Sequence, residues 1–179
     1  MRAVREKRLV FIDESFCKTG MCREFGWGLR GERVRGMRPF RAWKTVALIG
    51  AIRIGAKPKL MTHPGSVNGA VFVQFVRTRL VPWLHRGDVV VMDNLNIHKM
   101  VVVRAAIEAA GATPVYLPTY SPELNPIELL WADLKRDLRT LAINDAVQLR
   151  RAVRRLRRRV PTRKVAAWFG HALAHSRIK

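Results

Sequence analysis

Twice in this chain, four consecutive apolar, strand-forming residues run directly into an aspartate. Leu9-Val10-Phe11-Ile12 leads into Asp13, and Val89-Val90-Val91-Met92 leads into Asp93. Short unbroken apolar runs bounded by turn signals suit buried strands. In open α/β sheets, ligands sit beyond the carboxyl ends of such strands. If the two strands are parallel neighbours, Asp13 and Asp93 project into one crevice. An aspartate after a single strand also serves to begin a turn or cap a helix. It is the repetition that favours a site.

The periodicity around these runs changes along the chain. Gly26 to Gly31 suits a strand and tight turn, Thr45 to Ile54 a longer strand, Gly55 to Pro58 a turn, and Lys59 to Thr62 a further short strand. From Asn68 to Leu84 the apolar residues Val71, Phe72, Phe75, Val76 and Leu80 recur at helical spacing, with Asn68 as cap. A helix from about Ile97 to Ala110 stops at Gly111, and Val115 to Leu117 forms a last strand. A helix with the stripe Ile127, Leu130, Trp131, Leu134 and Leu138 follows, and two more, broken by Pro161, fill the chain from Asn144. Strands first, then helix and strand in alternation, then helices: this order predicts an α/β fold, a mixed sheet with helices on both faces. The tryptophans Trp27, Trp43, Trp83, Trp131 and Trp168 are expected in core or hairpin packing rather than as base-stacking platforms.

At 179 residues the chain suits one domain, and 49% hydrophobic residues suffice for a core. Disordered tails and disulfide miniproteins are excluded. Thirty-four Lys and Arg against thirteen Asp and Glu leave a net charge of +21. A domain so charged repels itself and is relieved by a polyanion, nucleic acid first and an anionic membrane surface second. Arg outnumbers Lys 25 to 9, a bias that a GC-rich coding sequence could produce in part without selection for phosphate binding. Cys17 and Cys22 match neither a structural zinc site nor a disulfide framework and are expected to be reduced thiols. The apolar run after the basic N-terminus is too short for a signal peptide, and no stretch approaches the roughly 18 apolar residues of a membrane span. The expected location is cytoplasmic.

With so few acids, each position is informative. Glu128 follows the proline-punctuated loop Ser121-Pro122-Glu123-Leu124-Asn125-Pro126 in the first turn of the helix. There it either closes a capping box with Asn125 or points at the crevice of the two aspartates. Three converging carboxylates repel by ~4 kcal/mol per pair at 4 Å and an effective dielectric of 20. A divalent cation removes that cost. Mg²⁺, which keeps waters and accepts phosphate oxygens, fits such a set, and two such ions can clamp a phosphodiester displacement.

The blocks Phe11-Ile12-Asp13-Glu14, Trp43-Lys44-Thr45, Val91-Met92-Asp93-Asn94-Leu95-Asn96-Ile97-His98-Lys99 and Tyr116-Leu117-Pro118-Thr119-Tyr120-Ser121-Pro122-Glu123-Leu124-Asn125-Pro126-Ile127-Glu128 resemble the DDE transposases of the mariner-like superfamily, in its bacterial insertion-sequence branch. Thirty-four residues lie between Asp93 and Glu128, a spacing typical of that superfamily. The resemblance implies a ribonuclease H-like five-stranded mixed sheet with C-terminal helices. It implies Asp13, Asp93 and Glu128 as catalytic residues and ligands of two Mg²⁺ ions, with Mn²⁺ able to substitute. Asp13 is expected to end the central strand and Asp93 the neighbouring one. Asn94 and His98 follow the second aspartate as in the family motif; they support metal or scissile phosphate, or His98 is a surface residue of a first turn. The implied activity is cleavage of double-stranded DNA at transposon ends and transfer of the freed 3′-hydroxyl to target DNA, by a homo-oligomer, associated with the nucleoid.

Only twelve residues precede Asp13, whereas the family usually carries an N-terminal helix-turn-helix reader of transposon ends. The chain is then either the catalytic half of a split element, with a separate helix-turn-helix chain, or a truncated copy. Residues 1–140 are expected as the catalytic domain and 141–179 as its basic helical extension. In that extension Leu149, Val153, Leu156 and Val160 make an apolar stripe, while Arg150, Arg151, Arg154, Arg155, Arg157, Arg158 and Arg159 fill the remaining circumference and are expected to contact DNA phosphate. Two rival readings remain open: a ribonuclease H-like nuclease without strand transfer, and a domesticated, non-catalytic DNA-binding protein. Loss of one acid would favour the second, and none is lost.

Overall fold

The computed structural model describes residues 6–36, 43–119 and 121–176; the basic start of the chain and Tyr120 lie outside them. Five strands form one sheet: β1 (Leu9–Lys18), β2 (Thr45–Ile52), β3 (Lys59–Pro64), β4 (Val89–Met92) and β5 (Thr113–Tyr116), in the order β3-β2-β1-β4-β5. β2 pairs antiparallel with β1 and β3, whereas β4 runs parallel to β1 and β5 parallel to β4. The sheet is therefore mixed, with the two aspartate-bearing strands adjacent and parallel as anticipated.

β1 does not stop at Asp13. It continues to Lys18 because Asp13 through Lys18 keep a full antiparallel ladder with β2, from Asp13 opposite Gly50 to Lys18 opposite Thr45. On its other side the parallel ladder with β4 covers only Leu9 to Phe11. Asp13 thus lies inside a strand yet just past the end of the parallel pairing.

Helices cover both faces. α1 (Gly69–Phe75) is capped by the Asn68 side chain, which accepts a hydrogen bond from the Val71 amide at 3.0 Å. It continues through a wide π turn (Val76–Leu80) and a 3₁₀ turn at Pro82, so the expected helix is present in three windings. α2 (Val101–Ala109) starts about four residues later than its apolar pattern suggests, since Ile97 to Lys99 are used in a turn that buries His98. These helices seal one face with Val10, Ile12, Phe72, Phe75 and Ile107.

α3 (Ile127–Leu141), α4 (Ala146–Arg159) and α5 (Thr162–Ser176) cover the other face. The expected stripes of α3 and α4 are buried there with Phe11, Leu48 and Phe169. Among the described residues no helix is long and apolar enough to cross a membrane.

The segment between β1 and β2 departs from expectation. Gly26 to Gly31 form no strand, and Phe25, Trp27 and Leu29 stand exposed. Trp43 is also more than half exposed, so of the five tryptophans these two are not core residues. Alternating glycines leave that stretch without the side chains that would pair and pack as a strand.

Candidate active site

Asp13 reaches its position through the strand, and Trp131 of α3 holds it there. The Trp131 indole N–H donates to Asp13 Oδ2 at 3.1 Å, and the Glu14 amide donates to Oδ1 at 2.8 Å. Gly50, opposite Asp13 on β2, makes room for the indole: a Cβ at that position would meet Trp131 Cη2 at 2.5 Å and Leu60 Cδ2 at 2.7 Å. Asp13 is buried, and burial raises its carboxyl most strongly. The charges of Glu128 and Glu14 raise it further, against the two hydrogen bonds, and it is pushed up to about 7.

Asp93 follows the last residue of β4 and is half-buried. Its Oδ1 accepts from the Leu95 amide at 3.1 Å and lies 2.6 Å from His98 Nδ1. Burial works to raise the Asp93 carboxyl, but these partners outweigh it and hold it below the usual carboxylate range.

Glu128 is the second residue of α3 and is exposed. The capping-box alternative is not realised. The Asn125 amide, which Glu128 would have to accept, donates instead to Pro122 O at 3.0 Å, and the Asn125 side chain accepts from Ile127 at 3.4 Å. Glu128 lines the same cleft of about 350 Å³ as Asp13, Asp93, Asn94 and Asn125.

His98 is no surface residue. Its side chain is fully buried against Phe72, with ring centroids 4.5 Å apart. Its Nε2 sits 2.9–3.0 Å from both Glu14 carboxylate oxygens while Nδ1 faces Asp93. Burial disfavours its charge, but the hydrogen bonds and charges of Asp93 and Glu14 overcome that and raise it to about 10. The imidazolium therefore ties Asp93 to Glu14 at neutral pH. Glu14 was not singled out by the sequence reading. The available signal was the period of two: next to Asp13 on a strand, it must project to the opposite face, toward α1 and α2.

The arginines do not join this cleft. Arg151, Arg154, Arg155, Arg158 and Arg159 line a separate shallow concavity on α4. Arg157 donates to Pro58 O at 3.1 Å, and burial, with the charges of Arg158 and Arg79, lowers its guanidinium from the ordinary value.

For a divalent cation, the donor set fits in kind: three hard carboxylates lining one cleft, with Asp13 held partly protonated in the absence of a counter-charge. Among the described residues no three His, Cys, Asp or Glu side chains converge tightly enough to enclose an ion unaided.

The model of the DDE superfamily endonuclease family matches residues 8–150 of this chain. Among solved structures, the chain is similar to the Mos1 strand transfer complex, with a TM-score of 0.74 and 17% identity, covering 93% of this chain and 52% of that one. The pre-cleavage Mos1 transpososome gives 0.71 and 19%, covering 93% and 53%. The catalytic domain of Mos1 mariner transposase gives 0.64 and 16%, covering 93% and 77%. The chain thus spans about half the length of the Mos1 chains in the complexes, and the likeness establishes the ribonuclease H-like fold. No curated protein matches the sequence.

The raised Asp13 carboxyl has a consequence for the metal-free protein. Below the ordinary value of 3.8, folded and unfolded chains both carry it protonated and it has no effect. As pH rises toward about 7, the unfolded chain ionises first and folding is increasingly disfavoured. Asp13→Asn lacks this penalty. Its melting midpoint, measured in EDTA, is expected to climb relative to the parent between pH 4 and pH 8 by roughly 2–4 °C for each kcal/mol relieved. A difference that stays flat with pH contradicts the assignment.

Proposed function

The chain belongs to the DDE superfamily endonucleases, and from that membership we propose that it is the catalytic part of a transposase. It cleaves double-stranded DNA at transposon ends and joins the freed 3′-hydroxyl to target DNA. The observation that carries this reading is that one cleft is lined by Asp13 from mid-strand β1, Asp93 just after β4, and Glu128 from the first turn of α3.

Each residue has a separable task. Trp131 and the Glu14 amide fix the two oxygens of Asp13. His98, held by Glu14, fixes Asp93. Glu128 brings its charge from a helix start whose cap is completed without it. Asn94, at the cleft wall beside Thr119, offers an amide to a phosphate oxygen. Asp13, Asp93 and Glu128 would hold the divalent ions, Mg²⁺ or Mn²⁺. When bound, such ions polarise the phosphodiester and lower the pKa of a bound water to make a nucleophile. His98 is buried and holds Asp93 through an ionised contact, so Asp93 keeps its geometry although its own side chain is part exposed.

DNA is held by the surface. α4 carries seven arginines and no carboxylate between Ala146 and Arg159 to neutralise them, and phosphate binding releases counterions from DNA. Residues 141–179 act as an extension of the catalytic domain, since α4 and α5 share its core with β1 and β2. Phosphate contacts position without reading sequence, so recognition of ends calls for a helix-turn-helix reader in addition to these arginines. Assembly on DNA is as a homo-oligomer, in a cytoplasmic, nucleoid-associated setting.

Two measurements test the reading. Glu128→Gln keeps size but removes charge, and its metal-dependent cleavage is expected to fall by orders of magnitude, with stability changed by no more than ~0.5 kcal/mol. Near-parental cleavage would remove Glu128 from the site. Replacing Arg154, Arg155 and Arg158 with Gln should weaken binding evenly across DNA sequences. It should flatten the salt dependence by up to ~0.9 in log–log slope per lost phosphate contact. An unchanged slope makes the run a solvated face.

A further inference from the structure

Beyond Phe11 the edge of β1 that faces β4 has no ladder partner among the described residues, and Asp13 stands at the start of this open edge. α3 runs alongside it. Glu128, Lys135 and Arg139 are seven and four residues apart, so they share one helix face. A second cavity of about 290 Å³ lies further along, its lining including Phe16 and Lys18 of β1, Trp43, Lys135 and Arg139 of α3, and one carboxylate, Glu24, against these three cations. Phe16 and Trp43 are each 56% exposed there. Lys135 Nζ lies 5.4 Å from the Phe16 ring centroid and Lys18 Nζ 5.4 Å from that of Trp43.

This is an unusual place for two large aromatic side chains, which would gain more by burial in the adjoining core. Cation–aromatic pairing returns only ~0.5–1 kcal/mol at exposed sites. Flat aromatic faces with cations at their rims are what unpaired nucleotides require: stacking for the base, positive charge for the phosphate. The distance also suits a strand continuing from the carboxylates. Three strand residues from Asp13 to Phe16 span ~10 Å along the open edge, with Phe16 reached around that edge because it alternates in face with Asp13, and seven helical residues from Glu128 to Lys135 span ~10 Å. At ~3.4 Å per stacked nucleotide, that is about three nucleotides.

We propose that this groove binds unpaired nucleotides of the DNA strand that continues past the scissile phosphate, with bases stacked on Phe16 and Trp43 and phosphates held by Lys18, Lys135 and Arg139. The proposal rests on the reading of the carboxylate cleft as the cleavage site. It assigns the groove to single-stranded rather than duplex DNA, because a base within a duplex cannot offer its face to an aromatic side chain.

The test is equilibrium binding in EDTA, followed by fluorescence anisotropy, of duplexes that end bluntly or carry a four-nucleotide 3′ or 5′ extension. The parent is expected to bind one extended polarity at least about fivefold more tightly than the blunt duplex, the lower end of the effect of stacking one base. An extension of abasic sites should lose most of that gain, in a comparison that uses unaltered protein. Phe16→Ala with Trp43→Ala should lose the same gain and keep blunt-duplex affinity within about twofold; Phe16→Leu should behave likewise. Lys135→Gln with Arg139→Gln should lower the salt slope for the extended duplex alone. Equal binding of blunt and extended duplexes, or an abasic extension as good as one with bases, overturns the proposal. The outcome is separable from the cleavage reading because no metal is present. Metal-dependent cleavage by a parent that shows no gain defeats the groove alone. A gain in a protein whose Glu128→Gln variant still cleaves supports the groove and places the failure in the carboxylates.

Discussion

The hydrogen bond from the Trp131 indole to Asp13 joins the two halves of the molecule that matter most to each other. One end belongs to the sheet and the other to the helix that begins with Glu128. Because Trp131 lies against the backbone at Gly50, its own position is set by strand β2 rather than by side-chain choice. Loss of that glycine would displace the indole, and with it the register of α3 against β1. The core residues Ile127, Leu130, Leu134 and Leu138 hold the helix in place. The indole hydrogen bond, with that of the Glu14 amide, then fixes which way Asp13 faces. Indole donation to a buried carboxylate also offsets part of the cost of burying it.

Around this anchor the charges are arranged by depth. Two of the three cleft acids are restrained, Asp13 by Trp131 and Asp93 by His98, which Glu14 holds in turn, while Glu128 stands exposed at the start of α3. The buried imidazolium between two carboxylates is a costly element, tolerated because both ring nitrogens are satisfied. A second buried pair, Arg53 with Asp88 at 2.9 Å, ties β2 to the start of β4 at the other end of the sheet. The arginines of α4 and the cations Lys18, Lys135 and Arg139 beside the open edge of β1 lie outside the core, where a polyanion can reach them. An acidic, restrained centre inside a cationic surface allows phosphate to be gathered at the surface without being repelled before it reaches the metal ligands.

Much of this was legible in the sequence. The two four-residue runs identified the central parallel strands, because a strand buried on both faces leaves little choice of residue. The helical stripes of α3 and α4 were equally clear, since burial on one face imposes a period. The continuation of β1 through Asp13 to Lys18 was not, because its pattern after Ile12 mixes polar and apolar residues and its pairing partners on β2 are 27 to 37 residues away. The role of Glu14 was hidden for a related reason: its partner, His98, is 84 residues distant and comes from a turn that looked like the start of a helix. The exposed Trp43 was misjudged because composition assigns tryptophan to cores, whereas exposure depends on what the open strand edge leaves uncovered. The rejection of the capping box at Glu128 likewise required coordinates, since Asn-Pro-x-Glu satisfies that motif on paper while the Asn125 amide is already given to Pro122.

The claim on which the account depends most is that Asp13, Asp93 and Glu128 together take divalent metal. Diffraction from crystals grown with Mn²⁺, recorded near its absorption edge, locates the ion directly. The account predicts anomalous peaks inside the carboxylate cleft, at coordination distance from Asp13 and at least one of Asp93 and Glu128, and no peak there in crystals of Asp13→Asn. A fully occupied Mn²⁺ elsewhere, with an empty cleft at the same concentration, would contradict it.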